Sequence, residues 1–367
     1  MLTIKLNMYL SKKIISSFVI IFLVFIICLT ILSWIDILRF EYSNSTTTLN
    51  LLYLASLKAP IAAHSLIPIM ILLTSLHFFI TLSRSGELII IRSAGRSILR
   101  SLIAPILTIF FIGIFLILII NPLNTVMYKV YDLEVSKLNK PLANFSLNDE
   151  GIWLREGSKD SQRVIHAKSI SDNSSTLRNL TIFEFDENRV PTARIQATSA
   201  TVGLKEWDLS NVKVWKVSRD NRPEDRSRTY HQYKIKTDLN IKKIKLGFGE
   251  PNKISIWELS RYIDRIENAG FSSREHRVYL NKEIALPVLM IGMFLIGGAL
   301  NMGQARFTSS SLLIIVSVIL GIGGFLLNNL TRILSENGAI TPFVGAWVPP
   351  IILIFFALAI ILHYEDG

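Results

Sequence analysis

SRSGELIIIRSAGRSILR, residues 83–100, separates two long apolar runs, 59–82 and 101–120. Its four arginines, Arg84, Arg92, Arg96 and Arg100, stand against a single glutamate, Glu87. A short Arg-rich connection between membrane spans belongs on the cytoplasmic side, because Lys and Arg in short loops set orientation. Written as a helix, the stretch puts Leu88, Ile91 and Ala94/Ile98 on one face and Glu87, Arg92 and Arg96 on the other. Two readings stay open on physics alone. The helix rests on anionic headgroups, or it docks a cytoplasmic partner, with Glu87 as a specific contact.

Working outward, six runs are long enough to cross a bilayer: 14–35, 59–82, 101–120, 284–302, 311–330 and 343–362. With 83–100 inside, the N-terminus is inside too, where Lys5, Lys12 and Lys13 agree, and the segment 36–58 is outside with only Arg39 and Lys58. The C-terminal HYEDG also falls inside. The chain has 367 residues, 50% of them hydrophobic, and a formal charge of +11, with a mean hydropathy of +0.42. Uninterrupted apolar runs exclude a soluble basic protein, so the positive balance reads as loop charge and not as a nucleic-acid surface. The one cysteine, Cys28, lies in the first run, so no intrachain disulfide can staple an exported domain. The first run is too long for a signal peptide and lacks a cleavage pattern, so it is expected to be retained.

A polar insertion of some 160 residues divides the spans three and three. TYHQYKIKTDL, residues 229–239, alternates with period two: Tyr233, Ile235, Thr237 and Leu239 on one face, Lys234, Lys236 and Asp238 on the other. Further β-branched segments between turn formers point to an antiparallel sandwich or partly open barrel, with Trp153, Trp207 and Trp215 in its core. Ser255 to Glu258 reads as a capping box that opens a helix with Ile256, Leu259, Ile263 and Ile266 on its apolar face, ending before Gly270. The expected organisation is therefore a six-span membrane α-helical protein with an inserted all-β domain. Residues 1–120 carry spans one to three, 121–254 the β domain, 255–283 a connecting helix and 284–367 spans four to six.

Little suggests catalysis. There is no Gly-Lys dipeptide and hence no P-loop for ATP. The six histidines show no metal-binding spacing, and no cofactor is expected. His64 and His77 share the second span but lie about 20 Å apart along a helix, so each is expected to satisfy itself against a neighbouring helix. Asp36 and Glu283 fall at span ends, and no acid sits at a span centre, which puts the energy source outside the membrane part. Arg39, Lys129, Lys282 and Arg332 gather near outer span ends. They either snorkel to headgroups or ring the phosphates or carboxylates of an anionic substrate. Glycines in the fourth and fifth spans, Gly292, Gly297, Gly298, Gly321, Gly323 and Gly324, invite close helix approach.

SGELIIIRSAGRS, NPLNTVMYKVY, GIWLREG, FEFDENRVPTARIQATSA, LNKEIALPVLMIG and LSENGAITPFVGAWVPP, in this order and spacing, resemble the lipopolysaccharide-export permeases of the LptF/LptG (YjgP/YjgQ) type, with the final loop closer to LptG. The resemblance implies a non-catalytic subunit of an ABC exporter with a periplasmic β-jellyroll domain. It implies an LptF-like second permease subunit, an LptB-like cytoplasmic ATPase dimer and a single-span LptC-like protein as partners, with lipopolysaccharide as cargo, membrane lipids around it and no nucleic acid. It maps the family's coupling helix onto 83–100, with the ATPase contact on Glu87, Leu88, Arg92 and Gly95. It maps basic lumen residues onto Arg39 and Lys129, with Lys282 joining them by position, while Ser33 and Asp132 stand where relatives carry further cations. Two other classes remain as rivals: a mechanotransmission or sensor protein through which nothing passes, and a membrane enzyme acting on outer-leaflet lipids, for which no acid/base cluster is visible.

Overall fold

A computed structural model describes residues 2–39, 48–93, 97–138, 145–148, 151–157, 162–170, 176–186, 190–203, 205–216, 227–237, 239, 250–302 and 310–366. The chain divides into two compact units: Met1–Leu138 with Ser255–Trp257 and Arg277–Gly367, and Asn139–Ile254 with Glu258–His276. Among the described residues, six helices are long and apolar enough to cross a membrane.

The first unit is helical. α1 (Leu2–Arg39) and α2 (Thr48–Arg84) run for 38 and 37 residues, about 55 Å at the standard rise, so both exceed a hydrocarbon layer of about 30 Å. α3 (Glu87–Ser93) is short. α4 (Ile98–Phe115) begins where the Ser97 hydroxyl accepts from the Arg100 N–H, and passes through a π-helical turn, Leu116–Ile120, into α5 (Asn121–Leu138). The amphipathic stretch 83–100 is therefore not one helix. Gly86, at φ +72°, turns the chain between α2 and α3 in a conformation that costs a side chain strain, and Ser97 starts a new helix instead of continuing α3. The helix through Asn121 likewise carries on for 18 residues past the apolar run, before the first strand. Pro122, at its second position, offers no N–H to the ladder and directly follows the π turn and Asn121.

α7 (Arg274–Ala299), α8 (Ser310–Glu336) and α9 (Pro342–Asp366) complete this unit; α6 (Ile256–Asn268), which precedes them in the chain, belongs mostly to the second unit. α2 and α7 form the centre. Ile67, Ile71, Leu72, Phe78 and Phe79 pack with Met290, Met293 and Phe294, and the Ser75 hydroxyl donates to the Phe294 carbonyl at 2.6 Å. Close approach depends on glycine: a Cβ on Gly297 would lie 2.8 Å from Ser75, and one on Gly321 would lie 2.1 Å from Leu72. Gly323 differs, with nothing within 4 Å. α1, α4 and α8 instead expose apolar rows, among them Leu23, Ile27, Phe111, Phe115, Ile319 and Leu326, which suits lipid or another apolar surface and not water.

The second unit holds β1 (Phe145–Asn148), β2 (Gly151–Gly157), β3 (Gln162–Ile170), β4 (Thr176–Phe185), β5 (Pro191–Val202), β6 (Glu206–Lys216) and β7 (Ser227–Lys236). They form one antiparallel sheet in sequence order, each strand paired with the next. Where the sequence suggested a sandwich or barrel, the described residues form a meander with its core on one face: Ile152, Leu154, Ile165, Leu180, Ile182, Ile195, Trp207 and Leu209. α6 (Ile256–Asn268) contributes Ile266 to that core, followed by Ala269 and Phe271. Gly270, at φ +81°, ends it as expected, its N–H bonded to the Glu267 carbonyl. The three tryptophans do not share a role. Trp207 is fully buried and its indole donates to the Leu239 carbonyl at 2.7 Å. Trp153 is only half-buried because the two-residue period puts it on the face opposite Ile152 and Leu154, and Trp215 because the core-facing positions of β6 shift from 207 and 209 to 212 and 214 across Asn211, at φ +50°. Trp153 lies against His166, with ring centroids 4.4 Å apart, and Trp215 is covered by Arg194 and Lys213.

Candidate functional site

Two carboxylates in the helical unit are held across helices, and they are held differently. Glu87 opens α3. Its oxygens accept from Lys13 Nζ at 2.9 and 3.0 Å and from the Tyr9 hydroxyl at 3.1 Å each. The Ser85 hydroxyl adds a 2.8 Å bond. Tyr9 and Lys13 stand one turn apart on the first turns of α1, with the ammonium 5.4 Å from the phenol ring centre, the i, i+4 spacing that lets both reach one acceptor. Burial pushes the Glu87 carboxyl up, but the bonds from Lys13, Ser85 and Tyr9 outweigh it and hold it below the usual carboxylate range. Ile91, on the other side of α3, sits in the bundle core, whereas Ile90 is exposed. The backbones of Leu88 and Arg92 lie in α3, and Gly95 falls outside the described residues.

Glu283 is buried. It sits inside α7, whose helix starts at Arg274 and not at the apolar run that begins at residue 284. One oxygen meets His64 Nε2 of α2 at 2.9 Å, and the other accepts from Asn121 Nδ2 of α5 at 3.3 Å. Asn121 Nδ2 also donates to the Tyr279 hydroxyl at 3.1 Å, and its Oδ1 accepts from the Ile256 N–H, the first residue of α6, at 3.1 Å. The first N–H of α6 is thus satisfied by a side chain from another helix, the role expected for a local cap. Asn121 lies just past the π turn, a deviation that aims its side chain off the regular helical path. His64 meets a neighbouring helix through Nε2 as its position suggested, while its Nδ1 is buried without a hydrogen-bond partner among the described residues, and His77 does so separately, with Nδ1 3.0 Å from Ser17 Oγ. Glu283 is the departure: the sequence left it at a span end, yet it is the centre of a buried polar group joining α2, α5 and α7. The signal was present in Tyr279 and Glu283 at i, i+4 within YLNKE, but hydropathy alone starts the span after both.

The four cations expected at outer span ends separate into two pairs. Arg39 ends α1 and Lys129 lies on α5, both exposed. The elements that bear them meet through Ile37, Leu51, Leu54 and Ala55, with Trp34, Tyr131 and Val135 against them. Lys282 is turned inward, Nζ donating to the Asn328 carbonyl of α8 at 3.2 Å, and Arg332 lies 3.6 Å from Glu336 on its own helix. The exposed pair can meet an anion from outside the unit, whereas Lys282 and Arg332 already face protein acceptors.

The model of a protein family described as lipopolysaccharide export system permease LptF/LptG matches residues 8–363. No curated protein matches the chain individually.

Proposed function

The chain belongs to the lipopolysaccharide export system permease family LptF/LptG, and from that premise we propose that it is one permease half of an ATP-driven exporter. Membership and six apolar helices make it a multi-pass inner-membrane permease of lipopolysaccharide export. The finer reading is that it works as the LptG-like half with an LptF-like second subunit, an LptB-like ATPase dimer and an LptC-like single-span protein. Together they extract lipopolysaccharide from the outer leaflet and pass it to a periplasmic bridge. The chain itself binds no nucleotide and performs no chemistry.

The observation that carries this reading is α3, a seven-residue helix set between two of the long apolar helices. A permease without a nucleotide site must receive work through a rigid element that touches its ATPase, and α3 suits that role, with Ile91 anchored in the core and Glu87 at its start. The Lys/Arg bias supports α3 and both termini in the cytoplasm and the β unit in the periplasm. Arg39 and Lys129, exposed on α1 and α5, suit the phosphates of an anionic lipid.

Reconstitution tests the whole. Proteoliposomes holding this chain, its second permease subunit and the ATPase should release lipopolysaccharide to a periplasmic acceptor only with ATP. A cysteine at Thr198, an exposed β5 position, in a Cys28→Ala background should react with a membrane-impermeant reagent in cells whose inner membrane is intact. Release without ATP sinks the energetic reading, and labelling only after inner-membrane rupture sinks the orientation.

A further inference from the structure

The Glu87 carboxylate is already full. A carboxylate offers about four lone-pair positions, and here the donors bring up to four protons: two from Lys13 Nζ, the single Tyr9 hydroxyl proton shared between both oxygens, and that of Ser85, which also reaches the Thr81 carbonyl. Three of the four residues involved, Tyr9, Ser85 and Glu87, lie near the surface, and the Lys13 and Glu87 side chains keep 18% and 27% of their exposure. An incoming cation can therefore reach Glu87, but cannot be added to it without displacing a donor.

We propose that Lys13, with Tyr9, is a latch on the docking carboxylate: the first turns of α1 compete with the ATPase for Glu87, and docking exchanges the Lys13 ammonium for a cation of the partner. The inference rests on the reading of α3 as the docking helix and adds how that contact is regulated. Three features suit exchange. Lys13 is a point charge on a flexible stem, which gives up a geometry more readily than a bidentate guanidinium. It has a second acceptor in place, the Tyr9 hydroxyl at 3.4 Å and the ring beneath it, so its charge is not stranded when Glu87 leaves. Ser85 is two residues before Glu87 in the chain and can stay bonded through the exchange, keeping the carboxylate aimed.

A bracing role for the same contact makes the opposite prediction, which is what renders the latch testable. If Lys13 merely holds α3 in place, its removal loosens the docking helix and weakens the ATPase. If Lys13 competes, its removal tightens the ATPase. The full chain, paired with its second permease subunit in nanodiscs, is titrated with the purified ATPase. Lys13→Gln should lower the dissociation constant about threefold to tenfold, the scale of a partly exposed ionic contact, and Lys13→Arg should leave it at or above the wild-type value. In a Glu87→Gln background, Lys13→Gln should change nothing further. An unchanged or raised dissociation constant for Lys13→Gln overturns the latch. Glu87→Gln alone separates the two readings: if it weakens the ATPase while Lys13→Gln fails to tighten it, only the latch falls, and if it leaves the affinity unchanged, the docking reading falls with it.

Discussion

Glu87 and Glu283 each meet a basic side chain from another helix at 2.9 Å, yet they belong to different physics. Glu87 is near the surface, faces a lysine with a long flexible stem and takes its remaining bonds from the exposed Tyr9 and Ser85 side chains. An ion pair of that kind contributes little to stability and exchanges easily. Glu283 keeps 8% of its side-chain exposure and faces the His64 imidazole, itself 13% exposed. It shares its second oxygen with Asn121, which is itself bonded to Tyr279 and Ile256. Removing the carboxylate there strands His64 and Asn121, because a buried unpaired group loses its full solvation. The same geometry at one oxygen thus makes an exchangeable contact in one place and a fixed joint in the other.

The strongest way to break that contrast is Glu283→Ala. It leaves His64 and Asn121 without their shared acceptor and should destabilise the purified protein by about 3–5 kcal/mol, read as a lowered melting temperature in detergent. A melting curve that overlays the wild type would make the buried joint no different from the surface contact.

Glu87→Lys should move a different observable. It places a second cation beside Lys13 and removes the acceptor proposed for the ATPase, an expected loss of about 2–5 kcal/mol in docking, seen as ATPase missing from the purified complex. The melting temperature of the permease should hardly change, and Glu87→Gln should be milder in both measurements. Should Glu87→Lys keep its ATPase and its extraction rate, α3 reverts to a basic stripe resting on headgroups.

Arg39 and Lys129 extend the comparison to a third exposed pair. Reversing both, Arg39→Glu with Lys129→Glu, should reduce photocrosslinking of lipopolysaccharide by the equivalent of about 1.5–3 kcal/mol, the worth of a hydrogen bond to a charged group, while the complex still assembles. Wild-type extraction by the double variant would leave the two as headgroup anchors.

The smallest effect sharpens the contrast from within the buried group. Tyr279→Phe removes one hydroxyl but leaves Glu283 with His64 and Asn121, so a cost of only about 0.5–1.5 kcal/mol is expected. A loss as large as that of Glu283→Ala would move the centre of the joint from the carboxylate to the phenol.

Much of this architecture was legible in the chain itself. Uninterrupted apolar runs had to become helices, because a backbone in hydrocarbon must satisfy its own polar groups. Period-two alternation in residues 229–239 had to place Ile235 and Leu239 inside and Lys234 and Lys236 outside, as observed. Glu87 also stood out, as the one acid among four arginines, but its bonds to Tyr9 and Lys13 of α1 were not readable there. Less legible were the tryptophans. Aromatic content predicts burial on average, but the face of a strand is decided by its register, and Trp153 and Trp215 fall on the face that Ile152 and Val214 do not.

Composition and periodicity determined the six spans, the inserted strands and the loop where a partner could dock, since each follows from local hydropathy and charge. Only the tertiary structure decided which polar groups meet. Lys13 and Glu87 are 74 residues apart, and His64 and Glu283 are 219 apart. Hydrogen bonds of about 3 Å depend on how helices are rotated against one another, and that rotation is set by close contacts such as Gly297 against Ser75. A hydropathy profile averages over those contacts. It locates the helices and leaves unspecified which carboxylate is open to exchange and which is sealed in the bundle.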